Sequence, residues 1–232
     1  MIITIDGPSG SGKSTAAKLL AKRLNFFLLD TGAMYRVVAL QARREGLGYG
    51  EVDKIGRMCQ GLPLRFEHEA EEYRVFLGSE DVSLAIRTPE MDMMASRISA
   101  IGEVREAMTI LQRRIAQGKN VVAEGRDMGT VVFPGADFKV FLTATPRVRA
   151  ERRYLERLRR GEAVSQESIL ADLVRRDEQD RKRSIAPLRQ AEDAKLIDST
   201  NLSPDQVIEI ILEELMAMGR GRFTGIKVRG KR

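Results

Sequence analysis

The sequence predicts an α/β fold of three layers, a central parallel sheet of about five strands between helices, with a small antiparallel insertion and a helical lid. Three observations predict it. Short apolar runs of strand length alternate with longer segments of helical period, the βαβα order of a parallel sheet. Between residues 62 and 100 that order gives way to short strand-like runs joined by turn residues. Later, two consecutive charged segments of helical length are crowded with arginine, the first with seven arginines against two glutamates.

The elements follow in order. Ile2 to Asp6 is an apolar strand running into Gly7-Pro8-Ser9-Gly10-Ser11-Gly12-Lys13-Ser14-Thr15. Ala16, Leu19, Leu20 and Leu24 then recur at helical spacing. Phe26 to Leu29 is a second strand ending in Asp30, and Thr31 opens a helix to about Glu45. In the insertion, Leu64 to Phe66, Tyr73 to Leu77 and Asp81 to Val82 read as strands, the last two joined at Gly78-Ser79. Thr88-Pro89 reads as a helix cap with Pro at the first helical position. A helix spans about Glu103 to Ala116, and Asn120 to Ala123 and Phe138 to Leu142 are buried strands. Thr145-Pro146 opens the first Arg-rich helix, to about Arg160, and the second runs from about Gln166 to Arg183. Lys195 to Ile197 is the last strand. Ser203-Pro204-Asp205-Gln206 is a capping box before an amphipathic helix. This divides the chain into a core of residues 1–61 and 101–218, with a lid at about 147–175, an insertion at 62–100, and a basic tail at 219–232.

Composition narrows the function classes. The chain has 232 residues, 43% of them hydrophobic, which suits one α/β domain with insertions. Aromatic residues make up 5% and Trp is absent, which argues against a base-stacking platform for single-stranded nucleic acid. No apolar run approaches the roughly 20 residues that span a bilayer, so no membrane partner is expected. The N-terminus reads as a strand that starts the fold, not as a signal peptide. A single cysteine, Cys59, fits a reducing, cytoplasmic setting. The net charge of +6 comes from the tail, where Arg220, Arg222, Lys227, Arg229, Lys231 and Arg232 meet no acidic residue. The body is neutral, so nucleic acid is not an expected partner except through that tail. Its composition reads as a disordered end, with weak RNA contact as the alternative.

The nonapeptide after the first strand carries the sharpest chemistry. Gly7-x4-Gly12-Lys13-Ser14 between strand and helix is a complete phosphate-binding loop, or P-loop. Its glycines let backbone N–H groups converge on phosphate oxygens, and the helix N-terminus adds partial positive charge. Lys13 reaches the β- and γ-phosphates of ATP, and the Ser14 hydroxyl coordinates Mg²⁺. A chance match in a Gly/Ser turn would not be expected to carry both flanking elements. The loop alone does not name the acceptor, because GTPases, ATPases and many kinases share it.

The acceptor is read from the remaining cations. Arg36 and Arg126 follow core strands, near the carboxyl ends where ligands of parallel sheets sit. Between Arg147 and Arg160 seven arginines face only Glu151 and Glu156, an excess that surface ion pairing does not explain. Two anionic ligands brought head to head would need such guanidinium forks to overcome their repulsion. An ionised phosphate acceptor needs no general base, whereas a hydroxyl acceptor more often does. The lone His68, between Glu67 and Glu69, reads as a solvated loop residue and not as that base. A hydroxyl kinase and a nucleotide-switched RNA-associated protein remain the alternatives.

Four blocks in order, I-T-I-D-G-P-S-G-S-G-K-S-T, L-L-D-T-G-A-M-Y-R, E-G-R-D-M-G-T-V-V-F-P and R-R-D-E-Q-D-R-K-R-S-I-A-P-L, resemble bacterial cytidylate kinases, as does L-I-D-S-T near the last strand. The resemblance runs from Ile2 to about Met218. It implies a three-layer P-loop kinase fold, a monomer, and phosphorylation of CMP or dCMP by ATP with Mg²⁺. It puts Thr31 and Arg36 at the acceptor, with Ser96 and Arg105 on the cytosine and Arg126 and Asp127 on base or phosphate. Asp180 would accept a ribose hydroxyl, while Arg176 and Arg183 bridge phosphates. Lys13, Arg126, Arg176 and Arg183 would then stabilise the transferred group, and the segment around Arg149, Arg152, Arg153 and Arg157 resembles a mobile lid. The insertion would surround the acceptor. Cytosine suits this set, since its N4 amino group donates to a carboxylate that the uracil carbonyl would meet unfavourably. Glu124 stands where many members carry Asp, and through water its longer arm would reach the metal.

Overall fold

The structure, a computed structural model, describes residues 1–69 and 72–219. The basic tail expected to be disordered lies, from residue 220 on, outside the described residues. The described residues form two compact units, one of residues 1–29 and 118–219 and one within residues 30–117.

The first unit holds the sheet. Its strands are β1 (Ile2–Asp6), β2 (Phe27–Asp30), β6 (Val121–Gly125), β7 (Phe138–Thr143) and β8 (Lys195–Asp198), in the spatial order β2-β6-β1-β7-β8. The ladders of β1 with β6, β1 with β7 and β7 with β8 are parallel. Each residue of β6 is buried, as expected of an interior strand covered on both faces, while edge strand β8 buries only Ile197. The chain leaves β1 toward β2 and later returns past β1 to β7. That reversal makes the carboxyl end of β1 a topological switch point, where open α/β sheets bind ligands. Helix α1 (Lys13–Leu24) packs against β6 and against α8 (Pro204–Gly219), and α6 (Pro146–Arg159) packs on α7 (Gln166–Lys182). Ile3, Ile5, Leu20, Val140, Ile211 and their neighbours form the core.

The second unit contains α2 (Thr31–Arg44), α3 (Val52–Gln60), the antiparallel sheet β3 (Leu64–Glu69), β4 (Glu72–Leu77) and β5 (Glu80–Asp81), then α4 (Pro89–Ile98) and α5 (Gly102–Ala116). Met34, Val38, Ile55, Ile86, Met91 and Met108 fill its core.

Most expected elements are present, and the differences have local causes. Helix α3 was not expected. Gly56 interrupts its pattern, glycines at 48, 50 and 61 flank it, and only Ile55, Gly56 and Cys59 are buried. His68, expected in a loop, lies in β3, because the ladder with β4 continues after the apolar residues stop at Phe66. The third strand begins at Glu80, although the pairing does reach Val82, whose N–H donates to the Val75 carbonyl at 2.9 Å. A single π-helical turn at Met128–Val132 was also unexpected. The expected caps are formed. Thr88 Oγ1 accepts from Met91 N at 3.2 Å. Ser203 Oγ accepts from Gln206 N at 3.2 Å while Gln206 Oε1 accepts from Ser203 N at 2.8 Å.

Losing that reciprocal cap leaves an orphan N–H at the start of α8. Ser203→Ala should lower unfolding stability by about 1 kcal/mol, seen as a lower urea midpoint at unchanged slope.

Candidate active site

The P-loop crosses from the carboxyl end of β1 to the start of α1. Gly7 adopts φ 149°, and a Cβ there would lie 2.0 Å from the Leu142 carbonyl oxygen, so the loop's entry lies against β7 as only glycine permits. Lys13, the first residue of α1, is 5% exposed and its Nζ donates to the Pro8 carbonyl at 2.6 Å. Burial holds the Lys13 pKa well below the usual lysine value. Arg126 and Arg176 push it further down, and Glu124 and Asp6 oppose them. Glu124 is buried at the end of β6, and Ser14 is exposed on the first turn of α1.

Asp6, which no sequence motif marks as a site residue, secures the other side of the cradle. Its Oδ1 accepts from Met128 N at 2.9 Å and its Oδ2 from Gly129 N at 2.7 Å. The carboxylate thereby ties the end of β1 to the π-helical turn that follows Arg126 and Asp127. Burial raises its pKa to about 6, against the lowering effect of those two N–H groups, with Asp127 adding to the rise and Lys13 opposing it.

On the same unit, Asp180 gathers the arginines. This 1% exposed carboxylate takes Arg126 Nε at 2.9 Å on Oδ2 and pairs with Arg183 through Oδ1. Burial would raise its pKa, but Arg126, Arg183 and Arg176 together hold it below the ordinary aspartate value. Lys13, Arg126, Arg176, Asp180 and Arg183, named separately in the sequence, therefore form one electrostatic cluster with Asp6 and Glu124. Asp127 is buried next to Arg126 at 2% exposure.

In the second unit, Asp30 caps α2 by accepting from Ala33 N at 2.8 Å, which leaves Thr31 buried in the first turn. Arg36 Nε pairs with Asp92 at 2.8 Å. Arg105, 4% exposed, donates to the Ser99 carbonyl at 3.0 Å, and Ser99 Oγ donates to the Ser96 carbonyl at 2.9 Å, so Ser99 links Arg105 to the backbone of Ser96. The Arg105 guanidinium lies 5.6 Å from the Tyr35 ring centroid.

The arginines of α6 divide in two. Arg153 pairs with Glu156 at 2.8 Å and Arg157 with Glu162 at 2.6 Å, both partly exposed. Arg149 and Arg152 instead turn inward. Arg149 is 3% exposed and bonds Asp177, while Arg152 bonds Ser199. Asp177 and Ser199 were not singled out as site residues, although both stand inside blocks that carried the family resemblance. No helix among the described residues is long and apolar enough to cross a membrane.

Fold and cradle together define the class as a P-loop kinase. A gluconokinase from Sinorhizobium meliloti 1021 shares the fold at TM-score 0.50, with 16% identity over 94% of this chain and 93% of that one. An uncharacterized protein from Eubacterium ventriosum does so at 0.51, with 12% identity over 94% and 99%. The cytidylate kinase family model matches residues 3–217. A cytidylate kinase of Geobacter sp. (strain M21) is 46% identical over 94% of this chain and 95% of its own. That of Syntrophotalea carbinolica is 49% identical over 92% and 91%. The chain belongs to the cytidylate kinase family and is a phosphotransferase.

The Asp6 environment has a pH signature. Native Asp6 holds its proton more tightly than the unfolded chain does, so its contribution is fully present below about pH 4 and is lost as pH rises through 6. The change is on the order of 3 kcal/mol. Relative to Asp6→Asn, which does not titrate, the wild type should lose stability between pH 4 and 7 in urea titrations. A difference that stays flat with pH would contradict this environment.

Proposed function

We propose that the protein transfers the γ-phosphoryl group of ATP to the phosphate of CMP, and of dCMP, giving ADP and CDP or dCDP. The bond from the γ-phosphorus to its bridging oxygen breaks as a CMP phosphate oxygen forms the new one. The observation that carries this reading is the cluster in which buried Asp180 holds Arg126 and Arg183, with Arg176 close by and Arg126 and Arg176 within electrostatic reach of Lys13. An anionic acceptor and an anionic donor repel each other, and preorganised cations lower that barrier without reorganising.

The residues divide the work. The backbone from Gly7 to Thr15 wraps the donor phosphates. Lys13 joins Arg126, Arg176 and Arg183 on the transferred group, whose negative charge offsets the burial and cation repulsion that depress the lysine. Thr31, Arg36, Ser96 and Arg105 bind the CMP, with Arg36 on its phosphate, and Asp127 accepts from the cytosine amino group. Asp180 serves the ribose while keeping its arginines in place. Arg153 and Arg157 belong to a lid over 147–175 that excludes water, and residues 62–100 form the acceptor module.

Hard oxygen donors suit Mg²⁺, and Ser14 with Glu124 through water would hold it together with phosphate oxygens. Among the described residues no group of three His, Cys, Asp or Glu side chains could cage a metal alone. The ion would neutralise charge on the donor phosphates. We place the enzyme in the cytoplasm, acting as a monomer in pyrimidine nucleotide metabolism.

A coupled assay of ADP release with each nucleoside monophosphate tests the reading, and CMP and dCMP should be the preferred acceptors. ADP release that ignores CMP would remove it. Lys13→Ala should lower kcat by about 10²–10³-fold in a folded protein. Asp127→Ala should cut the kcat/KM preference for CMP over UMP by at least about tenfold, and an unchanged preference would take Asp127 off the base.

A further inference from the structure

We infer that Arg149 and Ser199 are positioning residues of the P-loop, holding its carbonyl oxygens outward so that its N–H groups converge on the donor phosphates. This rests on the proposed role of the loop as the ATP site.

A peptide that turns its N–H inward turns its C=O outward, and an outward carbonyl in a buried setting needs a donor. Pro8 O takes Lys13 Nζ at 2.6 Å, and Gly12 O takes Ala16 N at 2.9 Å within the start of α1. Ser9 O and Ser11 O are served from other elements. Arg149 Nη1 donates to Ser9 O at 2.9 Å. Ser199 Oγ lies 2.9 Å from Ser11 O and 3.0 Å from Thr143 O. Thr143 O already accepts from Ser199 N at 2.8 Å, so the single hydroxyl proton is best used on Ser11.

Both donors are themselves fixed. Arg149 spreads its guanidinium over three acceptors: Nε to Ala144 O at 3.0 Å, Nη1 to Ser9 O, and Nη2 to Asp177 Oδ2 at 2.6 Å. Asp177 is buried on α7, so the P-loop, the end of β7, α6 and α7 meet at one planar cation that lysine cannot replace. Ser199 is held from above by Arg152, whose Nη1 donates to Ser199 Oγ at 3.0 Å and Nη2 to Ser199 O at 2.6 Å. The contact is close along the backbone as well: a Cβ at Gly10 would lie 3.0 Å from Arg149 Cβ. The first turn of α6 is thus part of the cradle's support.

Arg149→Lys, Asp177→Asn, Ser199→Ala and Ser199→Thr separate this role from direct phosphate contact. A lysine at 149 keeps the charge but not the three bonds, and a carboxylate at 177 cannot attract phosphate. Arg149→Lys and Asp177→Asn should each raise KM for ATP by about tenfold, with KM for CMP within about twofold of wild type. Ser199→Ala should raise the same KM, and Ser199→Thr, which retains the hydroxyl, should restore it. Three outcomes overturn the inference: an unchanged KM for ATP in folded Arg149→Lys and Ser199→Ala, tighter ATP binding in Asp177→Asn, or losses confined to kcat. If the Arg149 variants do not fold, the Ser199 pair decides by the same readout. Wild-type enzyme run alongside must release ADP with CMP; if it does not, the proposed reaction falls, and the Kd for ATP of each folded variant, measured by calorimetry, decides the positioning role by the same criterion of about tenfold.

Discussion

A P-loop must present its N–H groups to one point, and that requirement reaches far beyond the loop. Each peptide turned inward leaves a carbonyl turned outward, and a buried carbonyl without a donor is costly. Lys13, Arg149, Ser199 and the first turn of α1 meet that cost at four positions. Because the donors come from α1, α6 and the segment after β8, the loop's shape is secured by elements that follow three different strands of the sheet. The glycine at position 7 completes the constraint by allowing β7 to pass where a side chain would stand.

The second feature is concentrated charge. Lys13 and three arginines share a buried region with Asp6, Glu124 and Asp180. Carboxylates in such a place do not oppose phosphate binding so much as fix the cations, since each guanidinium fork has a defined direction only while a carboxylate holds it. Asp180 does this for Arg126 and Arg183, and Asp177 does it for Arg149. The lowered pKa of Lys13 and the raised pKa of Asp6 are two sides of one balance, in which charge is tolerated only where a partner of opposite sign lies close.

Local chemistry made much of this legible in sequence. Strand–loop–helix around Gly12-Lys13-Ser14, the Thr88-Pro89 and Ser203-Gln206 caps, and the parallel sheet all follow from short patterns with a direct mechanism. Helix α3 was not legible, because Gly56 broke a nine-residue pattern flanked by further glycines and three buried residues were too few to show a face. The inward turn of Arg149 and Arg152 was not legible either. An excess of arginine on a helix marks cations without saying which carbonyl or carboxylate each will meet. Asp6 and Ser199 act through backbone groups distant in sequence, and no spacing rule signals such partners.

The proposed chemistry is a direct transfer between two phosphates held by one set of cations. Isotopic labelling of the γ-phosphate of ATP, followed through a single turnover with CMP, tests it most directly. The label should appear in the β-phosphate of CDP. Label recovered as inorganic phosphate, or left on the protein, would contradict it.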